Sequence, residues 1–246
     1  MILKRVLLLG GSGLLGTNII ESNIFKNIHY PSSKVVNLIN KETIKKFLIK
    51  KNIDIVINCA ALARMRQCEI NPEKAIDVNI KGTLNLTQSI SEINKNILIV
   101  HISSDSVYGK KKKFFYESSA LNPYNVYAWT KLSSEFLVQT LKNHIIIRTR
   151  FFHESRIKYP DAANDIVTSS IYVKKLPKII ESIIKAKFNG IINVGASPSS
   201  DYKKYSKFNK LLKKSTYSKI QSGLDYQIAK NAIMNLNLLK KILKKN

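Results

Sequence analysis

The residues of this 246-residue chain best equipped for chemistry are Tyr127 and Lys131, four apart in Tyr127-Ala128-Trp129-Thr130-Lys131. On a helix that spacing puts both side chains on one face, one turn apart. A free tyrosine ionises at about pH 10, too high for rapid proton exchange at neutral pH. An adjacent ammonium favours the phenolate. Such a pair is common by chance, and its weight comes from a second segment, His101-Ile102-Ser103-Ser104-Asp105-Ser106-Val107-Tyr108-Gly109. Ser104 falls at the end of a predicted strand, where open α/β sheets bind their ligands. Its hydroxyl can hold a carbonyl and stabilise the negative charge that develops there. Ser104, Tyr127 and Lys131 together suit proton transfer at a carbonyl oxygen.

A third segment supplies a place for a cofactor. Gly10-Gly11-Ser12-Gly13-Leu14-Leu15-Gly16 follows a short apolar run and opens a helical stretch. Gly10 permits a tight turn, Gly13 lets the backbone approach a pyrophosphate, and Gly16 lets the helix pack close to the strand. The helix N-terminus at Ser12, Leu14 and Leu15 then faces the anion. The second strand should carry the ribose discriminator, and residues 27–34 contain no acidic side chain. Ser32, Ser33 and Lys34 can take a 2′-phosphate there, or serve only as a polar loop. NADP(H) is favoured over NAD(H).

These groups need a scaffold that brings distant segments together. Short β-branched runs at 6–9, 53–58, 97–102, 145–149 and 191–194 show no polar alternation, as in strands buried on both faces. Helical patterns at 42–51, 71–92, 125–142 and 176–187 lie between them. The alternation predicts an α/β fold, a doubly wound parallel sheet of the Rossmann type. Residues 1–150 are expected to form the dinucleotide-binding domain, with 171–195 returning to it. The remainder of 151–246 should include a small substrate-binding cap. Within it, 151–164 shows no periodic element, 197–202 reads as a Pro/Ser-rich connection, and 225–246 reads as one amphipathic helix with a basic outer face.

Taken in order, GGSGLLG, INCAA (57–61), AIDVNIKGT (75–83), SSDSVYG and NPYNVYAWTK (122–131) resemble the extended short-chain dehydrogenase/reductase family. Within it the chain is most similar to the dTDP-4-dehydrorhamnose reductases, through the P-x-N-x-Y-x-x-T-K run and Ile147-Arg148-Thr149. The resemblance covers the first 150 residues and thins to 165–173 and 189–195. It implies Ser104, Tyr127 and Lys131 as the catalytic triad. Cys59, Ala60 and Ala61 would line the cofactor, together with Tyr127 and Lys131. Asn79 would support the cofactor-side helix, and Ser104, Asp105, Ser106, Glu117 and Arg150 would meet the substrate. Glu117 could equally cap its turn. The implied activity is NADPH-dependent reduction of the 4-keto group of a nucleotide-diphospho-4-keto-6-deoxy sugar, in deoxysugar and surface polysaccharide biosynthesis.

Departures from the family pattern bound that expectation. Nucleotide-sugar dehydratases of the superfamily carry Asp-Glu where this chain has Asp105-Ser106, which argues against dehydration. The segment after Arg150 is short, Ala128 replaces a glycine, and Arg66 stands at an acidic position. A nucleotide-sugar 4-epimerase with bound NAD is one alternative, although no acidic residue follows the second strand. The other is a catalytically silent NADP(H)-binding regulatory subunit, which the short cap favours and the intact triad opposes.

The composition excludes several other classes. Hydrophobic residues at 44% and charged residues at 23% fit an ordinary globular core. No apolar run approaches the roughly 20 residues of a membrane span. The N-terminus runs straight into a strand, not a signal peptide, so a cytoplasmic location is expected. Cys59 and Cys68 have no metal-type spacing partners and read as reduced thiols; no metal is expected. The formal charge of +25 is spread over every predicted helix, and no nucleic-acid module motif accompanies it. Nucleic acid and membrane are therefore not expected partners. The run 110–113 could meet a diphosphate or be a solvated loop. His101 and His144 read as core or edge histidines, while His153 could face substrate. Trp129 points elsewhere on its helix, to pack or to join a copy of itself in a homodimer.

Overall fold

The computed structural model describes residues 4–110, 114–157 and 160–244. Six short strands form its centre: β1 (Val6–Leu9), β2 (Ile28–His29), β3 (Ile55–Asn58), β4 (Leu98–Ser104), β5 (His144–Thr149) and β6 (Gly190–Val194). Every pairing is parallel, in the spatial order β2-β1-β3-β4-β5-β6. The helices that cover the sheet are α1 (Leu14–Glu21), α2 (Lys41–Lys51), α3 (Gly82–Ile93), α4 (Val126–Gln139), α5 (Leu176–Lys185) and α6 (Asn237–Lys244). Leu15, Ile19, Ile180, Ile183, Leu239 and Ile242 of α1, α5 and α6 pack on one face against Leu8, Ile57, Val100, Ile147 and Ile192. On the other, Ile44, Leu48, Leu86, Ile90 and Val138 of α2, α3 and α4 meet Leu7, Val56, Ile99 and Ile146. Burial on both faces explains the unbroken apolar runs, and this is the doubly wound sheet that the alternation predicts. The chain changes direction between β1 and β3, so their carboxyl ends flank the crevice where such folds bind ligands.

Several elements differ from expectation. The helix expected over 71–92 is broken into Pro72–Ile76, one wide π-type turn at Asp77–Lys81, and α3. The turn carries Asn79, whose side chain is drawn to Leu62 and Thr130. Such bulges commonly mark functional positions. The tail is not one helix from 225. Asn231–Met234 is a strand with alternate residues buried, a period of two and not 3.6. The helix starts only at Asn237, whose N–H is taken by Asn235 Oδ1.

The supposedly irregular 151–164 holds Phe151–Phe152, paired with Ile171–Tyr172, and Asp161–Ala163, paired with Lys213–Ser215. In the 197–202 connection, Ser199–Ser200 pairs with Val167–Thr168, and Ser200 caps a short helix at Asp201–Tyr205. These pieces, with Asn231–Met234 and Phe114–Phe115, build a small lobe at the carboxyl end of the sheet. Segments too short to show periodicity are held there by pairing with distant partners. The lobe borrows Phe114–Phe115 from the first 150 residues, while α6 leaves it and returns to the sheet.

Candidate active site

The glycine loop follows β1. Gly10 has φ +79°, and a Cβ there would lie 2.7 Å from Ala60 N. A Cβ on Gly16 would lie 2.2 Å from Gly10 O. Backbone therefore packs on backbone where the loop crosses the end of β3, and only glycine fits. Gly13 begins α1 with no side-chain cap, so the first-turn amides near Ser12, Leu14 and Leu15 are left for an anion. A cleft of about 350 Å³ runs between Ser12, Leu14 and Thr17 on one side and His153 and Ser155 on the other. Ser32, Ser33 and Lys34 are exposed just past β2. Tyr30, which sequence reasoning passed over, puts its Cβ 3.2 Å from where Gly11 would carry one. Cys59, Ala60 and Ala61 continue from β3. Burial pushes the Cys59 thiol up to about 12, so it stays protonated and unreactive. Asn79, buried, donates to Thr130 Oγ1 at 2.9 Å and accepts from Leu62 N at 2.8 Å. It thereby ties the wide turn to α4 and to the strand exit.

Ser104, at the end of β4, hydrogen-bonds Tyr127 in the first turn of α4, and Lys131 lies one turn further along that helix. Asn125 caps α4 by accepting from Ala128 N at 2.8 Å, and Glu69 accepts from Val126 N at 2.8 Å. The first turns of the helix, with Tyr127 and Lys131, are thus held at both backbone and side-chain level. Ser104 ends β4. Its Oγ accepts from Ser106 N at 3.2 Å and from Ser106 Oγ at 2.9 Å. Burial pushes Tyr127 up to about 12, and its hydrogen bond with Ser104 pulls it the other way. Tyr127 is consequently a protonated donor at neutral pH, and the expectation that the spacing to Lys131 would favour its phenolate is corrected, because burial outweighs every charge near it. Burial lowers Lys131 to about 8, against the pull of Glu135 and Cys59. Its Nζ is 3.1 Å from His101 Nε2.

The side expected to meet substrate is charged and mostly closed. Arg150 Nε lies 2.7 Å from Asp105 Oδ2, and Asp105 Oδ1 lies 3.4 Å from Ser104 Oγ. Burial raises the Asp105 carboxyl from its ordinary range, with Arg150 pulling it back. Ser106 is buried behind Ser104 and spends its hydroxyl on it instead of facing a ligand. Glu117 accepts from Asn193 N at 3.0 Å, and its carbonyl accepts from Arg148 Nη1 at 3.0 Å. It fastens its loop to the ends of β5 and β6, which is the capping alternative. Lys110 donates to Gln227 Oε1, and the rest of the run, 111–113, lies outside the described residues.

One buried group escaped sequence reasoning. Lys204 Nζ donates to Thr168 Oγ1 at 2.5 Å and Ser170 Oγ at 2.6 Å and pairs with Asp201 at 2.9 Å. It looks like one lysine among many in the sequence. His101, read there as a core or edge histidine, is a core one, 1% exposed. No group of three or more His, Cys, Asp or Glu among the described residues could hold a metal, and no described helix is long and apolar enough to cross a membrane.

The residues present fit a dinucleotide: Gly13 meets nothing but Gly10 O where a Cβ would stand, which leaves its backbone open to a ligand, and the first turn of α1 has no side-chain cap. Comparisons with known proteins give the family and the fold. The sequence profile of the RmlD substrate binding domain matches residues 4–164. The dTDP-4-dehydrorhamnose reductase of Mycolicibacterium smegmatis is 26% identical over 184 residues, covering 68% of this chain and 55% of that protein. The chain spans about half the length of the curated relatives it matches. The solved dTDP-4-dehydrorhamnose reductase of Clostridium acetobutylicum aligns with a TM-score of 0.85 at 22% identity, covering 98% of this chain and 92% of that one. That of Bacillus anthracis, in complex with NADP, gives 0.84 at 19% identity and covers 100% of both chains. At these identities the two structures show the fold.

Proposed function

Because the chain belongs to the RmlD substrate binding domain family, we propose that it reduces the 4-keto group of a nucleotide-diphospho-4-keto-6-deoxy sugar with NADPH. One observation carries the reading: Ser104 at the carboxyl end of β4 hydrogen-bonds Tyr127 of α4, one helical turn before Lys131 and at the same carboxyl edge of the sheet as the glycine loop. The NADP complex of the Bacillus anthracis reductase supports the choice of cofactor, as does the lack of an acidic residue after β2. When bound, the nicotinamide supplies a hydride.

Gly10, Gly13, Gly16 and the first turn of α1 hold the pyrophosphate. Ser32, Ser33 and Lys34 receive the 2′-phosphate, and Cys59, Ala60 and Ala61 line the cofactor. Ser104 Oγ donates to the substrate carbonyl and holds it in line. Tyr127, kept protonated by burial, gives its proton to the alkoxide oxygen. Lys131 offsets the charge left on Tyr127. Acid assistance of this kind is worth about 10²–10⁴-fold. Arg150 and Asp105 border the sugar. A second copy of the chain covers Trp129 and Phe136, which are exposed on α4; sedimentation of Trp129→Glu beside the unaltered protein tests this.

The deciding assay is NADPH consumption, with NADH as comparator, on a panel of nucleotide-linked 4-keto-6-deoxy sugars. Turnover that disappears in Tyr127→Phe while NADPH still binds is the expected result. Binding without turnover on every sugar would move the reading to a cofactor-binding subunit. The Asp105–Arg150 pair beside Ser104 favours that second reading, because it already fills part of the substrate side.

A further inference from the structure

Where helix meets sheet, packing is ordinarily apolar. Along β4, Ile99, His101 and Ser103 face the α4 side, and two of these three residues are polar. Ser103 donates to Glu135 Oε1, and His101 meets both Ser134 and Lys131. His101 is 1% exposed, so each ring nitrogen needs a partner.

Hydrogen-bond accounting around the ring is tight. Asn58 Oδ1 accepts from Ala60 N at 3.2 Å, which leaves Asn58 Nδ2 to donate to His101 Nδ1 at 3.3 Å. Ser134 Oγ donates to Lys131 O at 2.7 Å and can accept from His101 Nε2 at 3.0 Å. A neutral ring with its proton on Nε2 satisfies all of these partners. Lys131 Nζ, however, lies 3.1 Å from the same Nε2. An ammonium cannot point a proton at an N–H, so this arrangement suits the uncharged amine. A charged Lys131 requires an unprotonated Nε2, hence the proton on Nδ1.

We propose that His101 is a positioning residue for Lys131: its neutral imidazole holds Nζ from the sheet side and changes tautomer when the lysine gains or loses its proton. The proton count balances, since Nζ takes up one proton from solvent and the ring keeps one throughout. With the proton on Nδ1, Asn58 must turn Oδ1 toward it and give up its bond from Ala60 N. Ala60 is the residue on which Gly10 packs, so the charge on Lys131 is linked to the crevice beside the glycine loop.

Lys131 Nζ is faced by His101 from β4, by Cys59 beyond β3 and by Glu135 on α4 itself. Glu135 is already held by Arg148, and Cys59 stays protonated up to about 12. Burial keeps His101 uncharged, with Lys131 adding to the effect. Lys131 is thus the group that titrates here at about 8.

Nitrogen-15 NMR of the ligand-free protein tests this, with its four histidines labelled and His101 assigned through His101→Gln. Between pH 6 and 10 the two ring nitrogens of His101 are expected to exchange protonated and unprotonated character, with a midpoint near Lys131's value of about 8. The step should vanish in Lys131→Met, and also in Lys131→Arg, which stays charged throughout. Ring nitrogens that keep their character across the range overturn the proposal, as does a step that persists in both lysine variants. The inference takes Lys131 from the proposed function but needs no cofactor, so failure to bind NADPH would count against that function alone.

Discussion

Glu135 and Arg148 meet inside the protein, Oε2 to Nη2 at 2.7 Å, with 0% and 2% of their side chains exposed. Arg148 Nε reaches both carboxylate oxygens, Ser103 donates to one of them, and the guanidinium lies 4.8 Å over the Tyr108 ring. The pair joins α4 to β5 just below the catalytic turn. Glu135→Ala strands a buried cation, and such losses run to about 3–5 kcal/mol. Urea denaturation of the variant should show that loss. A change under about 1 kcal/mol would mean that the arginine finds other acceptors.

Lys131 gives the fold a measurable pH dependence. Its folded value of about 8 lies below the ordinary 10.5, so between those values the unfolded chain binds the extra proton. Stability therefore rises as pH climbs through that window. Tyr127 and Tyr108, both pushed up to about 12 by burial, act the other way once unfolded tyrosines begin to ionise at about pH 10. From pH 8 to 10, any stability advantage of Lys131→Met over the natural protein should shrink by on the order of 2 kcal/mol. A constant difference would show that Lys131 titrates normally.

Gly10→Ala combines a backbone strain with a collision. The φ of +79° disfavours any side chain, and the new methyl would lie 2.7 Å from Ala60 N. Left-handed strain alone costs about 1–3 kcal/mol, and relief requires the loop to pull away from β3. Fluorescence titration should show NADPH binding lost or weakened more than tenfold, in a protein with a lowered melting temperature. Unchanged binding would place the pyrophosphate elsewhere.

Ser106→Ala removes the hydroxyl that donates to Ser104 Oγ at 2.9 Å but leaves Ser106 N in place. A neutral hydrogen bond is worth roughly 1 kcal/mol, so kcat should fall about five- to tenfold. NADPH affinity should not move. Loss as large as that of Ser104→Ala would mean that Ser106 meets the substrate itself.

Patterns carried by local periodicity were legible in the sequence. The apolar runs at β1, β3, β4, β5 and β6 declare their burial, and the glycine spacing declares the turn that Gly10 makes. Elements of two or three residues, such as Phe151–Phe152 and Lys213–Ser215, declare nothing, because their partners are remote in sequence. The tail misled for a related reason: its basic and apolar residues suit a helix, whereas Asn231–Met234 is claimed by two distant strands. In the candidate site, Tyr127 and Lys131 announce themselves through helix geometry. His101 does not, since its role rests on a contact 30 residues away. Glu117 shows the same limit, with a carboxylate that answers to Asn193, 76 residues on.

The return of α6 to the sheet has a consequence for the order in which the chain folds. Leu239 and Ile242 share one apolar cluster with Leu15 and Ile19, so segments about 220 residues apart complete one face of the sheet. The entropy of closing so long a loop is lost before that contact offsets it. The α6 contact is therefore expected among the last to form during refolding, after α1 and α5 have already settled on the same face.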